Sequence, residues 1–153
     1  MMQVMADSTR RRTIDELLDH ARSRITRLPP AAALAAVDEG ALLIDLRSEA
    51  ARERDGIVPG SLHIPRTVLE WRVDPESAWR NPHVGGLERQ LLLICEHGYS
   101  SSLAAATLRE LGFERAGDVV GGFDAWRDSG LPVHRSSRVP PSDELPGMGP
   151  PDP

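Results

Sequence analysis

The 153-residue chain contains no lysine and one cysteine, Cys95, and only 4% of its residues are aromatic. A single cysteine excludes an internal disulfide. The five histidines, at 20, 63, 83, 97 and 134, are dispersed, and no second cysteine joins them, so no structural metal and no cofactor is expected. No apolar run approaches the roughly 20 residues needed to cross a bilayer, and Met1 to Arg12 lacks an apolar core of signal-peptide type. These absences predict a cytoplasmic protein with no membrane role. Positive charge is also scarce: 18 arginines stand against 23 acidic residues, giving a net charge of -5, which argues against nucleic acid as a partner. Arg10-Arg11-Arg12 is the one basic run and reads as solvated.

What is present suits one ordinary domain with extensions: 40% hydrophobic and 27% charged residues. We divide the chain into an N-terminal extension, 1–28, a domain, 29–135, and a Pro-rich tail, 136–153. The extension reads as an amphipathic helix over 13–28, with Ile14, Leu17, Leu18, Ala21, Ile25 and Leu28 on one stripe. Thr13 and Glu16 make a capping box, and Asp15, Glu16 and Asp19 precede Arg22, Arg24 and Arg27, as the helix dipole favours. Pro29-Pro30 ends it. The stripe is expected to pack on the domain itself; the alternative is a partner copy, so the state is monomer or homodimer.

Strand and helix then alternate. An Ala-rich helix over Pro30–Val37 leads to a buried strand, Ala41–Arg47, whose Asp45 and Arg47 are expected to fix neighbouring backbone. Glu49–Arg54 reads as a helical turn, and Leu62–Pro65 as a short strand carrying a semi-buried His63. Val68–Trp71 is a helical turn, with Trp71 and Trp79 read as packing residues. Asp118–Val120 is a strand, followed by Gly121-Gly122 and a short helix with Phe123 and Trp126. This alternation predicts an α/β domain with a mainly parallel sheet.

The informative stretch is Leu91-Leu92-Leu93-Ile94-Cys95-Glu96-His97-Gly98-Tyr99-Ser100-Ser101. Four aliphatic residues read as a strand buried on both faces, and Gly98 lets a tight turn close. A helix follows with Leu103, Thr107, Leu108 and Leu111 on one face, Ser100 or Ser101 as N-cap and Gly112 as stop. Cys95 is thus expected at a strand tip facing the positive end of a helix, which favours the nucleophilic thiolate. The backbone N–H groups of such a turn bind anions without a basic side chain.

The chain resembles the rhodanese family of sulfurtransferases through four blocks in order: Leu43-Ile44-Asp45-Leu46-Arg47; Gly56 through Gly60 to His63-Ile64-Pro65; the Cys95–Ser101 loop; and Gly121-Gly122-Phe123-Asp124-Ala125-Trp126 through Gly130-Leu131-Pro132. The likeness spans about residues 30–134. It implies a rhodanese-like fold, a central mainly parallel β-sheet with helices on both faces. It implies Cys95 as the catalytic residue that becomes a persulfide, with Glu96, His97, Gly98, Tyr99, Ser100 and Ser101 binding substrate through their backbone amides. The implied substrates are a small anionic sulfur donor such as thiosulfate and a thiol or cyanide acceptor, which includes protein thiols.

Two features depart from the commoner family loop. Basic residues are absent from its second and sixth positions, and Glu96, if turned inward, would raise the Cys95 pKa. The Cys-x-His-Gly-x-Ser-Ser pattern nevertheless resembles that of short single-domain bacterial sulfurtransferases of the family. His97, when protonated, could attract an anion. Ser101 stands where phosphatases of related fold place the arginine that clasps phosphate, so phosphoryl transfer is not expected. The rival reading is a non-catalytic rhodanese-like binding or regulatory module.

Overall fold

The structure, a computed structural model, describes residues 10–135. Residues 1–9 and the Pro-rich tail expected over 136–153 lie outside the described residues. Helix α1 (Ile14–Ser23) precedes strand β1 (Thr26–Leu28), α2 (Pro30–Asp38), β2 (Leu42–Asp45), α3 (Glu49–Asp55) and β3 (Leu62–His63). A 3-10 turn over Arg66–Val68 leads into α4 (Leu69–Val73), and then come β4 (Leu91–Ile94), α5 (Ser100–Glu110), β5 (Ala116–Val119) and α6 (Gly122–Asp128). The five strands pair in the order β1-β5-β4-β2-β3, each neighbouring pair parallel.

The central strand β4 is buried at all four residues, as an aliphatic run covered on both faces must be. Leu91 and Leu93 join one core with Leu69 and Val73 of α4 and Ala104, Ala105 and Leu108 of α5. Leu92 and Ile94 join the other with Ala33 of α2 and Phe123 and Trp126 of α6. Burial of each such aliphatic side chain contributes on the order of 1.5–3 kcal/mol, so the strand that ends at Cys95 is firmly seated.

The N-terminal helix is shorter than its periodicity suggests. It has the capping box, with the Glu16 N–H donating to Thr13 Oγ1 at 3.1 Å. It stops at Ser23, where Arg24 N–H turns back to Ala21 O. Thr26, Arg27 and Leu28 then pair with Gly117, Asp118 and Val119 as the edge strand β1. Ile25 and Leu28 sit at helical spacing but enter opposite cores, which a single helix face could not do. Gly117 makes room for the strand, since a Cβ there would overlap Thr26 O. Within α1, Leu18 and Ala21 are buried while Ile14 and Leu17 stay exposed.

Helix α5 also differs. Ser100 and Ser101 are its first residues, with Tyr99 before them and no side-chain cap. Its buried face is Ser101, Ser102, Ala104, Ala105 and Leu108, with Leu103, Thr107 and Leu111 at the margin. The serines face inward because they have a buried partner, described below. The strands β2 and β5 are shifted or shortened to Leu42–Asp45 and Ala116–Val119, and Val120 is exposed. Trp71 is 56% exposed and therefore not a packing residue, Trp79 is half-buried, and Trp126 is fully buried with its Nε1–H donating to Pro132 O at 3.0 Å.

Candidate active site

Cys95 follows β4 directly, so its position is set by the centre of the sheet. The chain then reverses around its sulfur. Gly98 N–H donates to Cys95 Sγ at 3.2 Å, and Gly98 adopts φ +83°, a left-handed conformation that glycine takes without strain. A Cβ on Gly98 would meet Gly121 N at 2.7 Å. The floor is equally tight: Phe123 N–H donates to Cys95 O at 2.7 Å, Asp124 N–H to Glu96 O at 3.1 Å, and a Cβ on Gly122 would lie 2.5 Å from Cys95 O. The Gly121-Gly122 pair is therefore what allows α6 to dock beneath the cysteine loop.

The Asp45 and Arg47 pair supports this floor. Arg47 Nε and Nη2 donate to Asp45 at 3.1 and 2.9 Å, Nη2 also donates to Gly56 O at 2.8 Å, and the guanidinium lies 3.7 Å from the Phe123 ring centroid. The buried Arg52 adds a bond from its Nε to Asp45 Oδ2 at 3.2 Å. Arg47 O receives His63 Nε2 at 2.7 Å, which fixes Nε2 as the protonated nitrogen of the neutral ring. Burial pushes the His63 pKa down, while the Arg47 carbonyl works the other way.

Behind the sulfur lies a second network that the sequence reading did not assemble. The Cys95 thiol donates to Ser101 Oγ at 3.3 Å, and Ser101 donates to Asp118 Oδ2 at 2.8 Å. Ser102 donates to the same oxygen at 2.7 Å, and Arg27 Nε donates to Asp118 Oδ1 at 2.9 Å. Asp118 is fully buried on β5, and these donors satisfy both its oxygens. Arg22 and Arg27 also reach the loop itself, their Nη2 atoms donating to Gly98 O at 2.8 and 3.0 Å. The signal for Asp118 was a lone charge in an otherwise apolar strand, Ala116-Gly117-Asp118-Val119.

The residues singled out from the sequence divide into two groups. Gly98 and Ser101 are buried against the sulfur. Glu96 turns outward to Arg54 at 2.9 Å, so it does not face the thiol. His97 is exposed with Nδ1 2.8 Å from Asp124 Oδ2, Tyr99 is 62% exposed beneath Arg22, and Ser100 is exposed at the helix start.

Burial of the sulfur works to raise its pKa, but the hydroxyls of Ser101 and Ser100 and the amides of Ser101 and Gly98 outweigh it, leaving Cys95 below the ordinary thiol value. When the thiol ionises, the Ser101 proton can turn to the sulfur while Asp118 keeps Ser102 and Arg27. The site can therefore hold a thiolate in a largely water-excluded setting.

A parallel sheet whose central strand ends in one thiol, wrapped by a loop that opens a helix, defines an α/β domain with a single cysteine at the carboxyl edge of its sheet. The sequence matches the rhodanese-like domain family over residues 29–129, and the chain belongs to the rhodanese family, as an enzyme of the sulfurtransferase type. It is 38% identical over 101 residues to the thiosulfate sulfurtransferase GlpE of Pseudomonas syringae pv. syringae, covering 66% of this chain and 86% of that protein. Among solved structures, a Rhodopseudomonas palustris protein of unknown function, a possible tyrosine phosphatase, is 36% identical. It matches with a TM-score of 0.74 over 82% of this chain and 97% of its own. The homodimeric polysulfide-sulfur transferase of Wolinella succinogenes is 27% identical, with a TM-score of 0.63 over 76% of this chain and 83% of its own.

Proposed function

We propose that the protein moves a sulfane sulfur from an anionic donor, thiosulfate in the first instance, to a thiophilic acceptor through a persulfide on Cys95. The thiolate attacks the outer sulfur of thiosulfate, the S–S bond to the sulfonate sulfur breaks, and sulfite leaves with the electron pair. Cyanide or an acceptor thiolate then attacks the outer sulfur of the persulfide. Thiocyanate or the acceptor persulfide departs, and Cys95 returns as thiolate. No outside oxidant or reductant is required.

The observation that carries this reading is the setting of the sulfur: Gly98 N–H donates to it at 3.2 Å, and the Ser101 hydroxyl, which accepts from the thiol at 3.3 Å, can turn its proton to a thiolate. Donor, persulfide and leaving group are all anions that such groups stabilise. The backbone of Glu96 to Ser101 is the proposed binding surface. Phosphoryl transfer is less well supported: Ser101 occupies the position of the phosphate-clasping arginine, and the guanidiniums nearby are engaged by Gly98 O. We place the protein in the cytoplasm, where a lone low-pKa thiol stays reduced. No helix among the described residues is long and apolar enough to cross a membrane.

The test is thiosulfate:cyanide sulfurtransfer, with thiocyanate as the readout, run beside alternative donors. Turnover in the wild type and its loss in Cys95→Ser support the reading. No thiocyanate from any donor moves the protein to the class of rhodanese-like binding modules.

A further inference from the structure

The loop around Cys95 carries no arginine or lysine of its own, yet two guanidiniums reach it from the N-terminal segment. Arg22 of α1 donates from Nη2 to Gly98 O at 2.8 Å and from Nε to Ser102 Oγ at 3.1 Å. Arg27 of β1 donates to the same carbonyl at 3.0 Å while pairing with Asp118. Gly98 is the residue whose own N–H points at the sulfur.

Two consequences follow from elementary geometry and charge. In a trans peptide the C=O and the next N–H point in opposite directions. Drawing Gly98 O towards two arginines therefore aims the Tyr99 N–H away from them and fixes the turn that wraps the thiol. The charges do not cancel: Arg22 and Arg27 together outnumber Asp118 by one unit, in a partly buried setting where screening is reduced. Arg22 also lies 5.5 Å from the Tyr99 ring centroid, which keeps its guanidinium at the loop.

We infer that Arg22 and Arg27 are positioning residues of the Cys95 site, supplying from the N-terminal helix and edge strand the anion attraction that the loop sequence lacks. The inference rests on the sulfurtransferase reading for its biological meaning, but its test does not. The α1–β1 segment is then part of the catalytic unit, because it holds the loop carbonyl and sets the local potential.

The test compares alkylation of Cys95 by iodoacetate, an anion, and by iodoacetamide, a neutral probe of similar shape, at one pH and low ionic strength. In both, the thiolate forms the C–S bond and iodide leaves. Removing one unit charge beside the loop in Arg22→Gln should lower the iodoacetate:iodoacetamide rate ratio about three- to tenfold. Arg22→Lys loses the two-pronged contact but keeps the unit charge, which is what this ratio reads, so it should stay within about twofold of wild type. A folding control is a thermal melt. Should Arg22→Gln fail to fold, Arg22→Met, which keeps most of the side chain's length without its charge, takes its place and should show the same fall. An unchanged ratio in the folded charge-free variant, or an equal fall in Arg22→Lys, each overturns the inference. If wild type transfers no sulfur, the proposed function fails while this ratio still decides the role of the arginines. If it does transfer sulfur, KM for thiosulfate should rise in Arg22→Gln by a similar factor, with kcat changed less.

Discussion

Asp118→Asn should weaken the fold and quicken the thiol. In the native site Asp118 Oδ2 takes the protons of both Ser101 and Ser102, and its Oδ1 takes Arg27 Nε–H. An asparagine can keep its oxygen towards Arg27 only by presenting its NH2 group to the two serines. Hydroxyls accept as readily as they donate, so each serine can accept one amide hydrogen. The Ser101 proton is then free for the sulfur 3.3 Å away. A hydrogen bond to a charged group is worth about 1.5 kcal/mol, so iodoacetamide alkylation of Cys95 near neutral pH should accelerate about tenfold. Stability moves the other way. Arg27 loses its counter-charge, but its side chain is 21% exposed and partly solvated. The loss in urea denaturation should therefore be about 1–2 kcal/mol, short of the ~3–5 kcal/mol for breaking a fully buried pair. Unchanged or slower alkylation in a folded Asp118→Asn protein would refute the claim that Asp118 competes with the sulfur for the Ser101 proton.

Other consequences are open to direct measurement. Gly122→Ala places a Cβ about 2.5 Å from Cys95 O at φ +64°, and should cost about 2–4 kcal/mol in urea denaturation and most of the sulfur-transfer rate; full activity would show the floor to be pliable. Glu96→Gln should change sulfur transfer by less than about twofold, since Glu96 faces Arg54 at the surface. His63 has a folded pKa lowered by burial, so below about pH 6.5 the unfolded chain binds more protons than the folded one. Stability should accordingly fall as pH drops through the range below 6.5, and His63→Gln should flatten that part of the profile; an unaltered slope assigns it to other groups.

Much of this site could be read from local sequence, and the remainder could not for a definable reason. Leu91-Leu92-Leu93-Ile94 announces a strand covered on two faces, and Gly98 announces a turn around Cys95, because both signals lie within a few residues of their effect. Asp45 with Arg47 is likewise local, only two positions apart. Arg22 and Arg27 meet Gly98 across 76 and 71 residues, and before folding they look like charges suited to the end of a helix. Ser101 looks like a capping residue, and Ser102 carries no signal, until β5 brings Asp118 beside them and turns both inward. The edge strand β1 escaped notice because three residues are too short for alternation to show, while Ile25 and Leu28 extend a helical spacing by chance. The exposed Trp71 follows the same lesson, since size and apolarity fix neither the face nor the partner.

The most direct measurement is the intact mass of the reduced protein after exposure to thiosulfate and removal of excess donor. The account predicts one added sulfur atom on the wild type, released by cyanide with recovery of the original mass, and none on Cys95→Ser. An unaltered wild-type mass, or equal addition to both proteins, would contradict the claim that Cys95 carries the sulfur.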